Sequence, residues 1–202
     1  MKPPSIVLSI VKYLQQPKRM LVLGTLGFMG LTGWGWQQQA VKAQEQVATG
    51  TDWQQASFPV ENFQEYTSPF GPRGSGFHYG LDLAAPYGSY IRNWWAGQIG
   101  DVWEDGRCGV GISVKSGPWE HIYCHVQGTV GRENGQDYLM DREGGILLQK
   151  GQMIPAGARI ARVGMTGNTS GPHLHWGLKY SGQWVDPALV LREMYSQQAR
   201  RG

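Results

Sequence analysis

Five histidines, His78, His121, His125, His173 and His175, all fall between positions 78 and 175 of this 202-residue chain. Their spacing points to metal chemistry. In His173-Leu174-His175, residues two apart on a strand share a face, so both imidazoles point one way and Leu174 the other. Two adjacent imidazoles make half of a metal site. In His78-Tyr79-Gly80-Leu81-Asp82, the same parity puts His78, Gly80 and Asp82 on one face and Leu81 and Leu83 on the other. Gly80 leaves open space between the two polar groups. Gly80 and the following Ala84-Ala85-Pro86 also disfavour a helix there. An imidazole and a carboxylate are both good zinc ligands, although each pair taken alone also fits a surface hydrogen-bonded pair. In His121-Ile122-Tyr123-Cys124-His125, parity groups His121, Tyr123 and His125, with Ile122, Cys124 and Val126 opposite. Cys124 is therefore expected to point away from any site that His125 lines. His121 is expected at the surface, a strand length away.

Strands must hold these residues. From Phe63 onward the chain reads as short apolar or alternating runs (YGLDLAAP, GVGISVKS, HIYCHVQG, ARIARVGM, HLHWGLKY) broken by Gly, Pro and Asn, the pattern of strands and close turns. The 30 glycines and nine tryptophans agree with a turn-rich β domain. GVGISVKS–GPWE–HIYCHVQ reads as a hairpin turning near Gly117-Pro118. It brings Cys108, just before its first strand, close to Cys124, late in its second, and a disulfide is expected in an exported protein. Residues 128–148 interrupt the rhythm with two turn signals, RENG and REGG, and read as a surface loop or an extra hairpin. The only long helix expected is at 186–199.

The export signal comes from the N-terminus. Lys12, Lys18 and Arg19 precede an uncharged run, residues 20–36, in the order of a signal sequence. It is either a cleaved signal peptide, with Val41 and Ala43 at spacing compatible with cleavage, or a signal anchor holding the chain on a membrane. Its glycines make a poor core helix. Basic residues before the run keep the N-terminus cytoplasmic and the remainder outside, so the expected location is extracytoplasmic, either anchored or secreted. The resulting division is a basic and apolar segment at 1–36, a polar Gln-rich linker at 37–60, a β domain at 61–192 and a tail at 193–202. A net charge of only +3, with no long basic run, argues against nucleic acid as a partner.

Residues 63 to 192 resemble the catalytic domain of the lysostaphin-type, or LytM-type, zinc endopeptidases. The stretches that carry the resemblance are SPFGPRGSGFHYGLDLAAPYGSYI, YCHV, KGQMIPAGARIARVGMTGNTSGPHLHWGL and WVDPALVL, in the family's order. The pairing of H-x-x-x-D with a later G-P-H-L-H is its most specific part. The resemblance implies an all-β antiparallel domain of the duplicated-hybrid-motif type, with zinc at the floor of a substrate groove. It places the zinc ligands on His78, Asp82 and His175 and the catalytic histidines on His125 and His173. Strand parity alone cannot choose between His173 and His175 as ligand.

Two imidazoles and one carboxylate leave zinc a net charge of +1 and a fourth position for water. H-E-x-x-H is absent, so His125 and His173 are the candidate bases. The implied substrate is the peptide cross-link of bacterial peptidoglycan. Tyr-Cys-His-Val replaces the commoner Tyr-x-His-Leu, and the insert at 128–148 is longer than usual and is expected to form one groove wall. The competing readings are an inactive relative that activates or scaffolds another wall hydrolase, a wall-binding module, and a zinc peptidase acting on proteins. The linker, through side chains including Asn62, is a candidate for covering the groove.

Overall fold

The computed structural model describes residues 30–74 and 76–200, with side chains from Gln38 onward. The signal or anchor assigned to 1–36 lies outside the described residues as far as 29. Among the described residues no helix is long and apolar enough to cross a membrane.

The first element, α1 (Gly30–Thr49), differs from the expected linker. Gln, Ala, Lys and Glu between Gln37 and Gln46 are good helix formers, and the helix stops at Gly50, whose N–H reaches the Gln46 carbonyl at 2.9 Å. The stretch from Thr51 to Ala56 is packed, not free. Trp53 is wholly buried, and its indole N–H donates to the Ala48 carbonyl at 2.7 Å. Glutamines of the C-terminal helix, α2 (Pro187–Ala199), hold this stretch by its backbone. The Gln197 side chain accepts from Trp53 N–H at 2.8 Å and donates to the Thr51 carbonyl at 2.9 Å. Gln198 donates to the carbonyls of Trp53 and Ala56 at 3.0 and 2.8 Å. Polar composition suggests a linker, but two of its own glutamines also bind backbone: Gln44 accepts from Asp186 N–H at 3.1 Å and Gln54 donates to the Gln197 carbonyl at 2.9 Å. Val60, Leu191 and Met194 are all buried, so packing continues across 60 and 192. Helix α2 starts where expected, with Asp186 accepting from Ala188 N–H at 2.9 Å and Pro187 in the first turn. It then runs through the boundary drawn at 192.

Between the helices the chain is mainly antiparallel sheet. The strands are β1 (Glu65–Ser68), β2 (Gly71–Arg73), β3 (Gly76–His78), β4 (Leu81–Ala84), β5 (Tyr90–Arg92), β6 (Gly97–Asp105), β7 (Gly109–Ser116) and β8 (Trp119–Cys124). They continue as β9 (Thr129–Glu133), β10 (Gln136–Asp141), β11 (Ile146–Gln149), β12 (Met153–Ile154), β13 (Arg159–Arg162), β14 (His173–Tyr180) and β15 (Gln183–Val185). The main sheet runs β1-β4-β14-β8-β7-β6-β12, with β15 also on β14. Strands β2 and β3 pair as a separate hairpin, as do β5 and β13.

Register sorts the main sheet into two faces. Leu174 opposes Leu83, Trp176 opposes both Leu81 and Tyr123, and Leu178 opposes His121. All of these side chains are buried, in a core where the rings of Trp53, Trp94, Trp119 and Trp176 meet at centroid distances of 4.8 to 5.6 Å. On the other face His173 opposes Ala84, His175 opposes Asp82 and Cys124, and Gly177 opposes Ile122.

Three expectations are corrected here. His121 is not at the surface: it is fully buried, with Nε2 2.9 Å from Ser116 Oγ and its ring edge-on to Trp94. Cys124 does not point away from the His125 side but lines the same groove. Parity fails because β8 ends at Cys124 and His125 takes a left-handed backbone, φ 62°, which turns its ring away from the core face. The insert at 128–148 is a three-stranded meander, β11-β10-β9, tied to β13 by Arg162, which donates twice to Asp141 at 2.6 Å. Neither cavity at the histidine cluster has a wall from this meander.

Candidate metal centre and groove

His78 stands at the end of β3, where its Nδ1–H donates to the Pro69 carbonyl at 2.7 Å. A carbonyl can only accept, so Nε2 carries the lone pair. That lone pair faces Asp82 Oδ1 at 3.0 Å and His175 Nδ1 at 2.9 Å, and His175 Nδ1 lies 2.9 Å from Asp82 Oδ1. The β4–β14 register, with Asp82 opposite His175, delivers two of the three groups. Gly80 makes room for the third contact: a Cβ there would lie 2.5 Å from the His175 ring. Strand parity assigns Gly80 to the space between His78 and Asp82. Its role in the structure is to let the His175 ring lie flat against the chain.

The three donor atoms form a nearly equilateral triangle. Four ligands at about 2.0 Å around a tetrahedral zinc stand about 3.3 Å apart, within a few tenths of an ångström of the sides of this triangle. Three converging electron-rich atoms repel one another unless a cation or proton lies among them. Burial alone would raise the Asp82 carboxyl pKa, but the His175 and His78 imidazoles beside it outweigh burial and hold it well below the usual range. Burial pushes the His175 imidazole toward its neutral, ligating form against the pull of Asp82. The donor set therefore fits zinc, and His78, Asp82 and His175 form a metal-binding site.

The other two histidines flank this triangle with their outer nitrogens fixed. His173 directs Nδ1 to the Gly171 carbonyl at 2.9 Å, which leaves Nε2 3.7 Å from Asp82 Oδ1. His125 directs Nδ1 to the Thr166 carbonyl at 2.9 Å. Its ring lies 4.8 Å from that of His173 and 6.0 Å from that of His175. Burial lowers the His125 pKa, so it stands as a neutral base. Its backbone is held too: the His125 N–H donates to the Cys108 carbonyl at 2.8 Å, and Cys108 and Cys124 are joined by a disulfide with Cα atoms 4.9 Å apart. Gly109 approaches Thr166 so closely that a Cβ would lie 2.2 Å from its carbonyl carbon. The Thr166 loop and the disulfide loop thus form one support for His125.

A groove of about 510 Å³ opens over the cluster, with Trp103, Arg107, Tyr79 and Trp184 among its lining. Asn62 is not among its lining residues, and its side-chain amide instead approaches Ser89 Oγ at 3.4 Å. Sequence motifs alone pass over Arg73, yet its guanidinium reaches Asp82 Oδ2 at 3.1 Å and Ser68 Oγ. A signal for it exists. In a tight β2–β3 hairpin, Gly71 pairs with His78 and Arg73 with Gly76, so alternation puts Arg73 on the His78 face.

Comparison with known proteins agrees with this site. The model of Peptidase family M23 matches residues 76–187. Peptidoglycan DD-endopeptidase ShyA of Vibrio cholerae is 29% identical over 64% of this chain and 28% of its own length. DD-carboxypeptidase/endopeptidase Mpg of Neisseria meningitidis is 28% identical over 63% of this chain and 27% of its own. The matched stretch therefore spans little more than a quarter of these relatives. The crystal structure of a zinc-containing peptidase from Vibrio cholerae superposes with a TM-score of 0.53 and 26% identity, covering 65% of this chain and 38% of that one. The chain belongs to peptidase family M23, the lysostaphin-type metallopeptidases.

Proposed function

We propose that this M23 chain is a zinc-dependent endopeptidase that cuts peptide cross-links of bacterial peptidoglycan outside the cytoplasm. The observation that carries the reading is the joint geometry of five groups: three donor atoms in a triangle, with two further imidazoles beside it whose Nδ1 protons are tied to carbonyls. Zinc held by His78, Asp82 and His175 would supply Lewis acidity, polarising a peptide carbonyl and acidifying a water at neutral pH. The histidines do the rest. With Nδ1–H committed to a backbone carbonyl, His173 and His125 each present Nε2 toward the cluster. One takes the proton of the attacking water on Nε2 and, as the imidazolium, passes that proton to the leaving amine; the other accepts a hydrogen bond from the water at its Nε2 and orients it. Asp82 stays ionised throughout and orients both ligand rings.

The peptidoglycan assignment rests on the family and on the names of the relatives, and the D,D cross-link named for them is the bond expected to be lost. A disulfide at the groove suits an oxidising compartment. Digestion of purified sacculi, with released muropeptides identified by mass spectrometry, tests the reading. D,D-cross-linked dimers should fall to monomers with zinc and persist with chelator. Zinc bound at one equivalent without release from any peptidoglycan type would instead identify a non-catalytic relative.

A further inference from the structure

Beside the metal site, adjoining the main groove along residues that the two share, lies a second cavity of about 330 Å³. Of its polar lining, Thr67 and Ser68 belong to this cavity alone, and Arg73, Asp82, Ser170 and His173 also line the main groove. We propose that this cavity is a carboxylate subsite, in which Arg73 binds the free C-terminal carboxylate of a peptide lying in the groove. The inference rests on reading the groove as a peptide site.

The chemistry of the lining supports an anion. The hydroxyls are neutral donors, and among the described residues Asp82 is the only acidic group at the cavity. Both Asp82 oxygens are engaged: Oδ1 faces the two imidazoles, and Oδ2 faces Arg73. Zinc in the site would leave this corner positively charged. Arg73 uses only one nitrogen, Nη2, on Ser68 and Asp82, and among the described residues its Nη1 and Nε make no protein hydrogen bond. A guanidinium presents those donors in a fork that matches a carboxylate. Its side chain is 47% exposed, so a ligand can reach it. Register adds to this: Ser68 opposes Asp82, and Ala84, opposite His173, keeps the floor small. A carboxylate on Arg73 therefore sits next to the reacting carbonyl, and the site would accept peptides ending shortly after the cleaved bond, in addition to internal cross-links.

The test measures binding, apart from turnover. D-alanyl-D-alanine and its C-terminal amide are titrated by NMR into the zinc-loaded full chain and its Arg73→Gln and Arg73→Lys variants, with zinc affinity measured by chelator competition. The free acid should bind at least about tenfold tighter than the amide. R73Q, compared at zinc levels that saturate it because losing the Asp82 contact should itself weaken zinc by about 10- to 100-fold, should bind both equally, and R73K should keep part of the preference. Equal binding in wild type, no binding of either peptide, or a preference that survives in R73Q would overturn the subsite. A tenfold or greater loss of zinc in R73Q with an unchanged preference would also overturn it and reduce Arg73 to a support for Asp82. If the acid binds but no sacculus is digested, the hydrolase reading fails and the subsite stands. The converse result removes the subsite alone.

Discussion

The two faces of β14 use the same strand for opposite purposes. Leu174, Trp176 and Leu178 are fully buried among indoles, whereas His173 and His175, one residue away, converge with Asp82 on the open face. Two histidines of one segment make the contrast sharper. His121 is sealed in the core beside Trp94, and burial pushes its pKa down to about 3. His125, four residues on, reaches the groove because its own backbone is left-handed. Residue type therefore says little about role. The face decides, and backbone dihedrals set the face.

Substitutions can break or sharpen this contrast. The largest effect is expected on the open face: Asp82→Ala or His175→Ala should abolish zinc binding, read by metal analysis after gel filtration, and reduce hydrolysis by more than about 10⁴-fold. His173→Ala and His125→Asn should keep zinc yet lose about 10²- to 10⁴-fold in kcat on a muropeptide dimer. Asn is chosen at 125 because it tolerates the left-handed backbone. Full activity in either would remove that histidine from the mechanism. On the core face, Trp176→Ala should cost about 3–5 kcal/mol in denaturant unfolding. Gly80→Ala tests the boundary between the faces: the new Cβ would press on the His175 ring and meet the Trp176 carbonyl at 2.9 Å, so it should weaken zinc by about 10- to 100-fold and also lower the melting temperature of the metal-free protein.

The smallest effect concerns pH. His121 is neutral in the fold, while its unfolded form takes up a proton near the ordinary value of 6.5. Between about 6.5 and 3 the unfolded chain holds the extra proton. Stability from this group should therefore fall with decreasing pH, by at most about 1.4 kcal/mol per unit. His121→Gln should flatten that part of the stability profile, measured by urea unfolding at a series of pH values. An unchanged slope would show that other groups carry the acid sensitivity.

The sequence shows what is periodic and local. Alternation in H-x-H holds because His173 and His175 lie in one regular strand, whereas His78 and Asp82 meet across a break at Tyr79-Gly80 between β3 and β4; the Gly117-Pro118 turn lies where the hairpin needs it. Alternation fails one residue past a strand end, which is why parity misplaces Cys124 and His125 relative to each other. Burial of His121 is invisible in the sequence because its partners, Trp94 and Ser116, come from other elements. The glutamine clamps mislead for a related reason. A Gln bonded to a distant backbone has the same composition as a Gln in water. Arg73 is legible in principle, through hairpin parity, once β2 and β3 are paired.

The disulfide also acts before there is a fold. It closes the chain between residues 16 apart in sequence, and cross-linking a loop of about that length removes on the order of 3 kcal/mol of freedom from the unfolded ensemble. The closed segment contains the whole β7–β8 hairpin. In the oxidised chain those two strands have few alternative partners, and the residue just after them, His125, is delivered with the hairpin. Once this hairpin is registered, β14 has an edge to pair with, and Asp82 and His175 meet when β4 adds to its other side.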